Sequence, residues 1–191
     1  MKRIVVVMDL EYGTLETRKF VTNIGLVSSK GKYGYDIMSA EWARMVSYSP
    51  GYIMLNLHSF TSTAENIVET REFGVSIAGE DQGLAARFAG HYSGRDYDKI
   101  AMLEAMGFGF HKAANIDVLM ISGSAMEVEC KLKKHEELGD HVMFIGSVVG
   151  KSAVEGMKPL VYHSGKMYRL GEVLHEPWEK YVELAKGFKR G

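Results

Sequence analysis

The chain has 191 residues, 46% of them hydrophobic and 25% charged, with a formal net charge of −1. This length predicts one domain over residues 1–191 with a substantial core, and the near-neutral charge gives no electrostatic case for a nucleic-acid partner. The single cysteine, Cys130, excludes an intramolecular disulfide and is typical of a cytoplasmic protein, and no apolar run reaches the length of a membrane span.

The first third of the chain predicts short strands. Ile4–Met8 and Val21–Val27 are apolar runs of strand length, and the second is followed by a hairpin turn. The returning strand covers Asp36–Ala40. Its alternation places Asp36, Met38 and Ala40 on one face and Ile37, Ser39 and Glu41 on the other.

A strand–loop–helix unit follows and organises the rest of the chain. The strand covers Tyr52–Leu57, and the loop after it is rich in hydroxyls: Ser59, Thr61, Ser62 and Thr63. Ser62 and Glu65 have capping-box spacing, which predicts a helix from Thr63 to about Thr70. A hydroxyl-rich turn at a helix start offers N–H donors, side-chain donors and the positive end of the helix dipole, as a phosphate requires. The alternative is a turn that only caps a surface helix.

The second half predicts further strands and helices. Asp81 and Asp96 each stand before a helical pattern, one through Ala89 and the other through Met106. The expected strands are 73–78, 118–121, 125–132 and 141–149, followed by a hairpin over 160–170. After Pro177 an apolar stripe predicts a C-terminal helix at about 177–189, packed either on its own barrel or on a second subunit.

Several kinds of site are missing from the sequence. There is no glycine-rich dinucleotide fingerprint, no Walker-A loop, no zinc-ligand spacing and no Ser/His/Asp pattern. A bound nucleotide or flavin would therefore require a different kind of binding site.

The order and spacing of several segments resemble the flavin reductase-like family, the FMN-binding split barrels that include flavoredoxins and NAD(P)H:flavin reductases. The resemblance runs from about Phe20 to Glu172 and rests on these segments: 38–42, 52–70, 72–77, 93–99, 129–132, 139–146 and 160–168. The resemblance implies a mostly β, α+β fold: a six-stranded split β-barrel with flanking helices. It also implies a homodimer.

The same resemblance implies a flavin site. The isoalloxazine would lie against the strand Asp36–Trp42 and the phosphate at the loop Ser59–Asn66, with Arg95 or Lys99 as its counter-charge. The alternative for 93–96 is a bare loop and helix cap that leaves Arg95 and Lys99 in solvent. His163, in the late hairpin, would help to place a nicotinamide; an exposed turn residue is the alternative. The implied cofactor-binding residues are Met38, Ser39, Ala40, Glu41, Trp42, Ser59, Thr61, Ser62, Thr63, Asn66, Ser93, Arg95, Lys99 and His163.

Two carboxylates depart from the family pattern. Relatives commonly carry Asn at the position of Asp36 and Ser or Thr at that of Glu41. A carboxylate beside the ring would repel an anionic reduced flavin, unless the side chain points away from it.

Two functions remain open from the sequence. In the first, the protein is an oxidoreductase in which FMN takes electrons from NADH or NADPH and passes them to a flavin, a metal complex or a partner protein. In the second, it is a non-enzymatic electron carrier of the flavoredoxin kind, or a flavin-binding module. Hydride transfer to a flavin requires no side-chain acid or base, which agrees with the missing catalytic motif.

Overall fold

A computed structural model of the protein describes residues 8–174 together with residues 182 and 188. The strand predicted over 4–8 and the C-terminal helix predicted at about 177–189 lie outside the described residues apart from single positions, so both stay predictions. Within the described part of the chain, no helix is long and apolar enough to cross a membrane.

Strands dominate the structure. They are β1 (Val21–Asn23), β2 (Gly25–Gly31), β3 (Gly34–Ala40), β4 (Ala43–Tyr48), β5 (Gly51–His58), β6 (Glu72–Ile77), β7 (Phe110–Lys112), β8 (Leu119–Ile121), β9 (Met126–Leu138), β10 (His141–Ala153), β11 (Val161–His163) and β12 (Lys166–Tyr168). The helices within residues 8–174 are α1 (Ser62–Thr70), α2 (Gly83–His91) and α3 (Lys99–Ala105), with a 3-10 turn over Thr17–Lys19.

Seven strands form one antiparallel sheet in the order β3-β2-β6-β9-β10-β5-β4. The sheet does not close, because β3 and β4 are its two ends. They follow each other in the chain, joined only by Glu41 and Trp42. The predicted mostly β fold with flanking helices and an open, split barrel is therefore confirmed, with seven strands in the main sheet where six were expected.

The predicted strand over Val21–Val27 is two strands. It breaks at Ile24, which is 2% exposed and whose carbonyl accepts a hydrogen bond from Ala78 N at 3.0 Å. Strand β1 then pairs with β11 in a separate sheet of order β1-β11-β12, while β2 enters the large sheet. The break is not visible in the sequence, because both strands bury side chains and so form one continuous apolar run.

The three helices begin at other residues than the sequence predicted. Thr61, not Ser62, caps α1, and its Oγ1 accepts from Ala64 N at 3.2 Å. Gln82, not Asp81, precedes α2 and makes no side-chain cap. Asp98, not Asp96, caps α3 by accepting from Ala101 N at 3.0 Å. Each run holds several capping residues, and tertiary contacts decide which one is used.

Two apolar clusters hold the fold together. One fills the barrel and includes Phe73 and Phe144, both 0% exposed. The other lies between α2, α3 and the outer face of β3, where Ile37 is 0% exposed. Burying a side chain of this size contributes about 1.5–3 kcal/mol. Gly146 lies against the Phe73 ring, and a Cβ there would stand 2.4 Å from it, so the barrel requires glycine at this place.

Candidate functional site

The sheet splits at Glu41 and Trp42, and the predicted site residues gather around this split. Trp42 O accepts from Asn56 N at 3.0 Å, which ties the end of β3 to β5. Among the strands of residues 8–174, β3 pairs only with β2, so its other edge offers N–H and C=O groups that a ligand can contact.

The two faces of β3 are divided as the alternation predicted. Met38 and Ala40 pack with the barrel cluster, and Ile37 packs with α2 and α3. Ser39 faces α2, because a Cβ on Gly90 would lie 3.1 Å from the Ser39 Cβ. The side chains of these residues are engaged in packing, so they offer a flavin mainly backbone groups.

Asp36 is the centre of a buried polar cluster beneath this strand. Its carboxylate accepts from Ser62 Oγ at 2.9 Å and Thr63 Oγ1 at 3.1 Å, and it lies 3.0 Å from Lys99 Nζ. The side chains of Asp36 and Lys99 are only 3% and 4% exposed. Burial lowers the pKa of Lys99, and the charge of Asp36 opposes that shift. The cluster links β3, α1 and α3.

Only some of the donors predicted for the phosphate turn remain available to a ligand. Thr61 caps α1, and the hydroxyls of Ser62 and Thr63 are committed to Asp36. Ser62 and Thr63 are the first two residues of the helix, so their backbone N–H groups have no partner within it. Ser59 is exposed beside them. An anion at this turn would therefore meet backbone donors rather than the predicted hydroxyl cluster.

Arg95 lies beside this turn. Its Nη1 donates to Phe60 O at 2.6 Å, and its Nη2 donates to Glu65 Oε1 at 2.6 Å. The hydrogen bond from Arg95 lowers the pKa of Glu65. Ser93 Oγ accepts from Arg95 N at 3.2 Å and shapes the loop that carries the guanidinium. A cation is thus in place beside the helix start.

The side chains of Lys99 and Asn66 do not face the turn. Lys99 reaches the turn only through Asp36, because its ammonium group is buried against that carboxylate. Asn66 is 1% exposed, and its Nδ2 donates to Ser29 Oγ at 3.1 Å. Asn66 therefore holds α1 against β2 and does not face the turn. The helical spacing explains this, because Asn66 is four residues past Ser62 and belongs to the packed part of α1.

Glu41 and the late hairpin meet at the other end of the split. Glu41 is half-buried; desolvation raises its pKa, and a hydrogen bond with Tyr162 opposes that shift. Tyr162 Oη lies 3.4 Å from Tyr12 Oη, and these neighbours raise the pKa of Tyr162. His163 is the next residue of β11 and pairs with Val21 of β1, with its ring centroid 6.1 Å from that of Tyr168.

Sequence reasoning missed a row of rings beside Trp42. The ring of His141 lies 4.6 Å from that of Trp42 and 3.9 Å from that of His58, and Phe60 stacks on His58 at 5.0 Å. Trp42 and Phe60 are 45% and 67% exposed. Only the pairing of β5 with β10 brings His58 and His141 together, so no local signal in the sequence could have found them.

The chain is similar to known proteins over most of its length. The sequence profile described as "Flavin reductase like domain" matches residues 17–171. Flavoredoxin of Desulfovibrio vulgaris is 25% identical, with a TM-score of 0.73 over 93% of this chain and 98% of its own. An FMN-binding protein from Thermus thermophilus is 20% identical, with a TM-score of 0.77 over 92% of this chain and 99% of its own.

A third structure is an NADH:FAD oxidoreductase of Streptomyces globisporus. It is 19% identical, with a TM-score of 0.76 over 89% of this chain and 100% of its own. The two structures below 25% identity show a common fold, whereas the profile match covers most of the chain and all the segments around the split. The chain therefore belongs to the flavin reductase-like family.

Proposed function

We propose that the protein binds FMN at the split of the sheet and transfers electrons from NADH or NADPH to a flavin, a metal complex or a protein acceptor. One observation carries this proposal. The free backbone edge of β3 lies beside the start of α1, where Arg95 donates to Phe60 O at 2.6 Å. An extended edge suits the pyrimidine rim of a flavin, and the helix start with its guanidinium suits the phosphate.

The donor set fits a single terminal phosphate. Two backbone N–H groups, those of Ser62 and Thr63, can donate to one phosphate, and the Arg95 guanidinium would join them by giving up its contact with Glu65. The sequence has no dinucleotide fingerprint that would hold a pyrophosphate. This favours FMN over FAD, although the similar Streptomyces protein is an NADH:FAD oxidoreductase. FAD is therefore the competitor that a binding experiment must include.

The chain's own residues would orient the flavin and set the charge around it. The flavin itself supplies the chemistry, which is hydride acceptance from a nicotinamide and delivery of electrons onward. Arg95 would neutralise the phosphate. The Asp36–Lys99 pair fixes β3 against α3, and the Ser62 and Thr63 hydroxyls fix Asp36 to α1. Glu41 is half-buried at the split, and burial raises the pKa of its carboxyl.

A non-enzymatic electron carrier is the second candidate. The likeness to flavoredoxin, at 25% identity over nearly the full length of that protein, favours it. Such a carrier would bind FMN equally well and would accept electrons from a partner protein, not from a nicotinamide.

The test is a titration of the purified protein with FMN and with FAD, followed by anaerobic addition of NADH or NADPH. We expect tighter binding of FMN and bleaching of the flavin band by a nicotinamide. Arg95→Ala should weaken FMN binding about tenfold or more, because it removes a charge-assisted contact. Arg169→Ala removes an exposed guanidinium beside Glu80 and Asp81 and is the matched control.

The outcomes separate the candidates. Bound flavin that a nicotinamide does not bleach would favour the carrier, and a protein that binds no flavin would refute both. Unchanged FMN affinity in Arg95→Ala would refute the proposed phosphate site.

We also propose a homodimer. Edge strand β4 exposes apolar side chains next to Trp42: Met45 is 55% exposed, Val46 51% and Tyr48 87%. An apolar edge strand is a ready surface for a second copy. Sedimentation should give twice the 21.3 kDa chain mass. The monomer mass at micromolar concentration would contradict the proposal.

A further inference from the structure

Two histidines and an aspartate meet at one end of the barrel, beside the exposed face of Trp42. His58 is the last residue of β5 and His141 is the first of β10, and the two are direct partners in the antiparallel pair. Their ring centroids are 3.9 Å apart with an interplanar angle of 34°. Asp140 stands in the turn just before His141.

Asp140 lies against the Nδ1 atoms of both rings. Its carboxylate oxygen Oδ1 lies 2.7 Å from His141 Nδ1, and its carbonyl oxygen lies 3.3 Å from His58 Nδ1. A metal ion held by the three side chains would take the place of the proton that His141 Nδ1 shares with the Asp140 carboxylate.

The three side chains converge. One potential ligand atom from each of the three residues lies within 4.8 Å of the other two. The Asp140 side chain is 82% exposed, so a cation can reach its carboxylate.

We propose that His58, His141 and Asp140 form a binding site for a divalent transition-metal ion of the Zn²⁺ or Co²⁺ type. Two imidazoles and one carboxylate are ligands that these ions accept, whereas Mg²⁺ and Ca²⁺ prefer oxygen alone. Three protein ligands leave a coordination position for water. The site adjoins the proposed phosphate turn, because the His58 carbonyl accepts from Thr61 N at 3.1 Å and the His58 ring stacks on Phe60. Metal binding at these three residues does not rest on flavin binding.

Another histidine–carboxylate pair provides a control. His111 Nε2 lies 3.1 Å from Glu127 Oε2 and His111 Nδ1 lies 3.2 Å from Ser122 Oγ. No second imidazole joins this pair among the groups found in residues 8–174. It therefore offers the same chemistry of one histidine and one carboxylate without the convergence of three ligands.

The experiment is a titration of tag-free, EDTA-treated protein with Co²⁺ followed by visible absorption, and with Zn²⁺ by calorimetry. We expect saturation at one metal ion per chain. His58→Gln and His141→Gln should each weaken binding at least about tenfold, since removing even an outer partner of a ligand costs that much. His111→Gln should leave both titrations unchanged.

Asp140→Asn keeps the proposal testable if a histidine variant fails to fold. Asp140 is an exposed turn residue, so this variant should keep the melting temperature and still weaken Co²⁺ binding. Absence of saturable binding in the wild-type protein would overturn the proposal. So would binding that survives in His58→Gln, His141→Gln and Asp140→Asn. Neither result bears on FMN binding, which is measured separately.

Discussion

Two aspartates with similar partners lie on opposite sides of β3. Asp36 accepts from Ser62 and Thr63 and pairs with Lys99, with side chains only 3% and 4% exposed. Asp117 accepts from Tyr35 Oη at 2.7 Å and pairs with Lys30 and with Lys112, the latter at 3.0 Å, and its side chain is 53% exposed. Tyr35 and Asp36 are neighbours in the same strand.

The difference shows that burial, not the type of contact, decides what a charged cluster does. Water screens the cluster at Asp117, so each of its ion pairs adds little to stability. The cluster at Asp36 has no such screening, and removing one charge leaves the other unpaired in the interior. The buried cluster fixes the position of the proposed flavin strand, whereas the exposed one covers the outer surface.

The largest effect is expected from Lys99→Met. It leaves the Asp36 carboxylate buried without its counter-ion, which should lower the free energy of unfolding by about 3–5 kcal/mol. Urea denaturation measures the change. Lys112→Met, which removes a lysine from the exposed cluster, should leave the unfolding midpoint almost unchanged. Equal losses of unfolding free energy in the two variants would contradict the claim that burial distinguishes the two clusters.

The double variant Asp36→Asn with Lys99→Met sharpens the same point. Removing both charges takes away the uncompensated ion, so the double variant should be more stable than Lys99→Met alone. A double variant as unstable as the single one would mean that packing, and not charge, is lost.

A smaller effect is expected at the start of α1. Thr63→Val removes a hydrogen bond to the buried Asp36 carboxylate, at a cost of about 1.5–3 kcal/mol. Thr61→Val removes the helix cap, at a cost of about 1 kcal/mol, together with the hydrogen bond that Thr61 Oγ1 donates to His58 O at 3.0 Å. Unfolding and FMN titration should be measured for both. The Thr63 hydroxyl is committed to Asp36, so neither variant should lose FMN affinity through a direct phosphate contact.

That expectation differs from the one the sequence supports, in which both hydroxyls would bind phosphate. A tenfold loss of FMN affinity in Thr63→Val, with β3 still in place by circular dichroism, would show that the hydroxyl turns from Asp36 to the ligand.

The smallest effect is expected from Asp117→Asn. The hydrogen bond from Lys30 is the main cause that lowers the pKa of Asp117 from its ordinary 3.8, so this carboxylate stabilises the fold above pH 3.8. That contribution is lost as the pH falls through the lowered pKa. The difference between wild type and Asp117→Asn should therefore be small at pH 7, and it should shrink in acid and in 1 M salt. Urea titrations at several pH values and salt concentrations test this, and a salt-independent difference would contradict it.

Local patterns in the sequence predicted much of the fold. The alternation of β3, the strand over 52–57 and the hydroxyl-rich helix start were all visible because neighbouring residues determine them. The family resemblance implied Arg95 as a counter-charge for a phosphate; in the structure Arg95 contacts Phe60 O beside the start of α1, and its role toward a phosphate stays a prediction. The choice among adjacent capping residues could not be predicted, because Thr61, Ser62 and Thr63 are all competent caps and only Asp36 draws two of them away.

The sequence by itself determined the family, the strand-rich fold and the segments that surround the site, because these depend on residue order and short-range periodicity. Only the tertiary structure decided what the site residues do. Asp36 and Lys99 are 63 positions apart in the numbering, and His58 and His141 meet only through the pairing of β5 with β10. A contact between distant residues has no local pattern, since it depends on how strands pair and helices pack, and it is this packing that buries one aspartate and leaves the other in water.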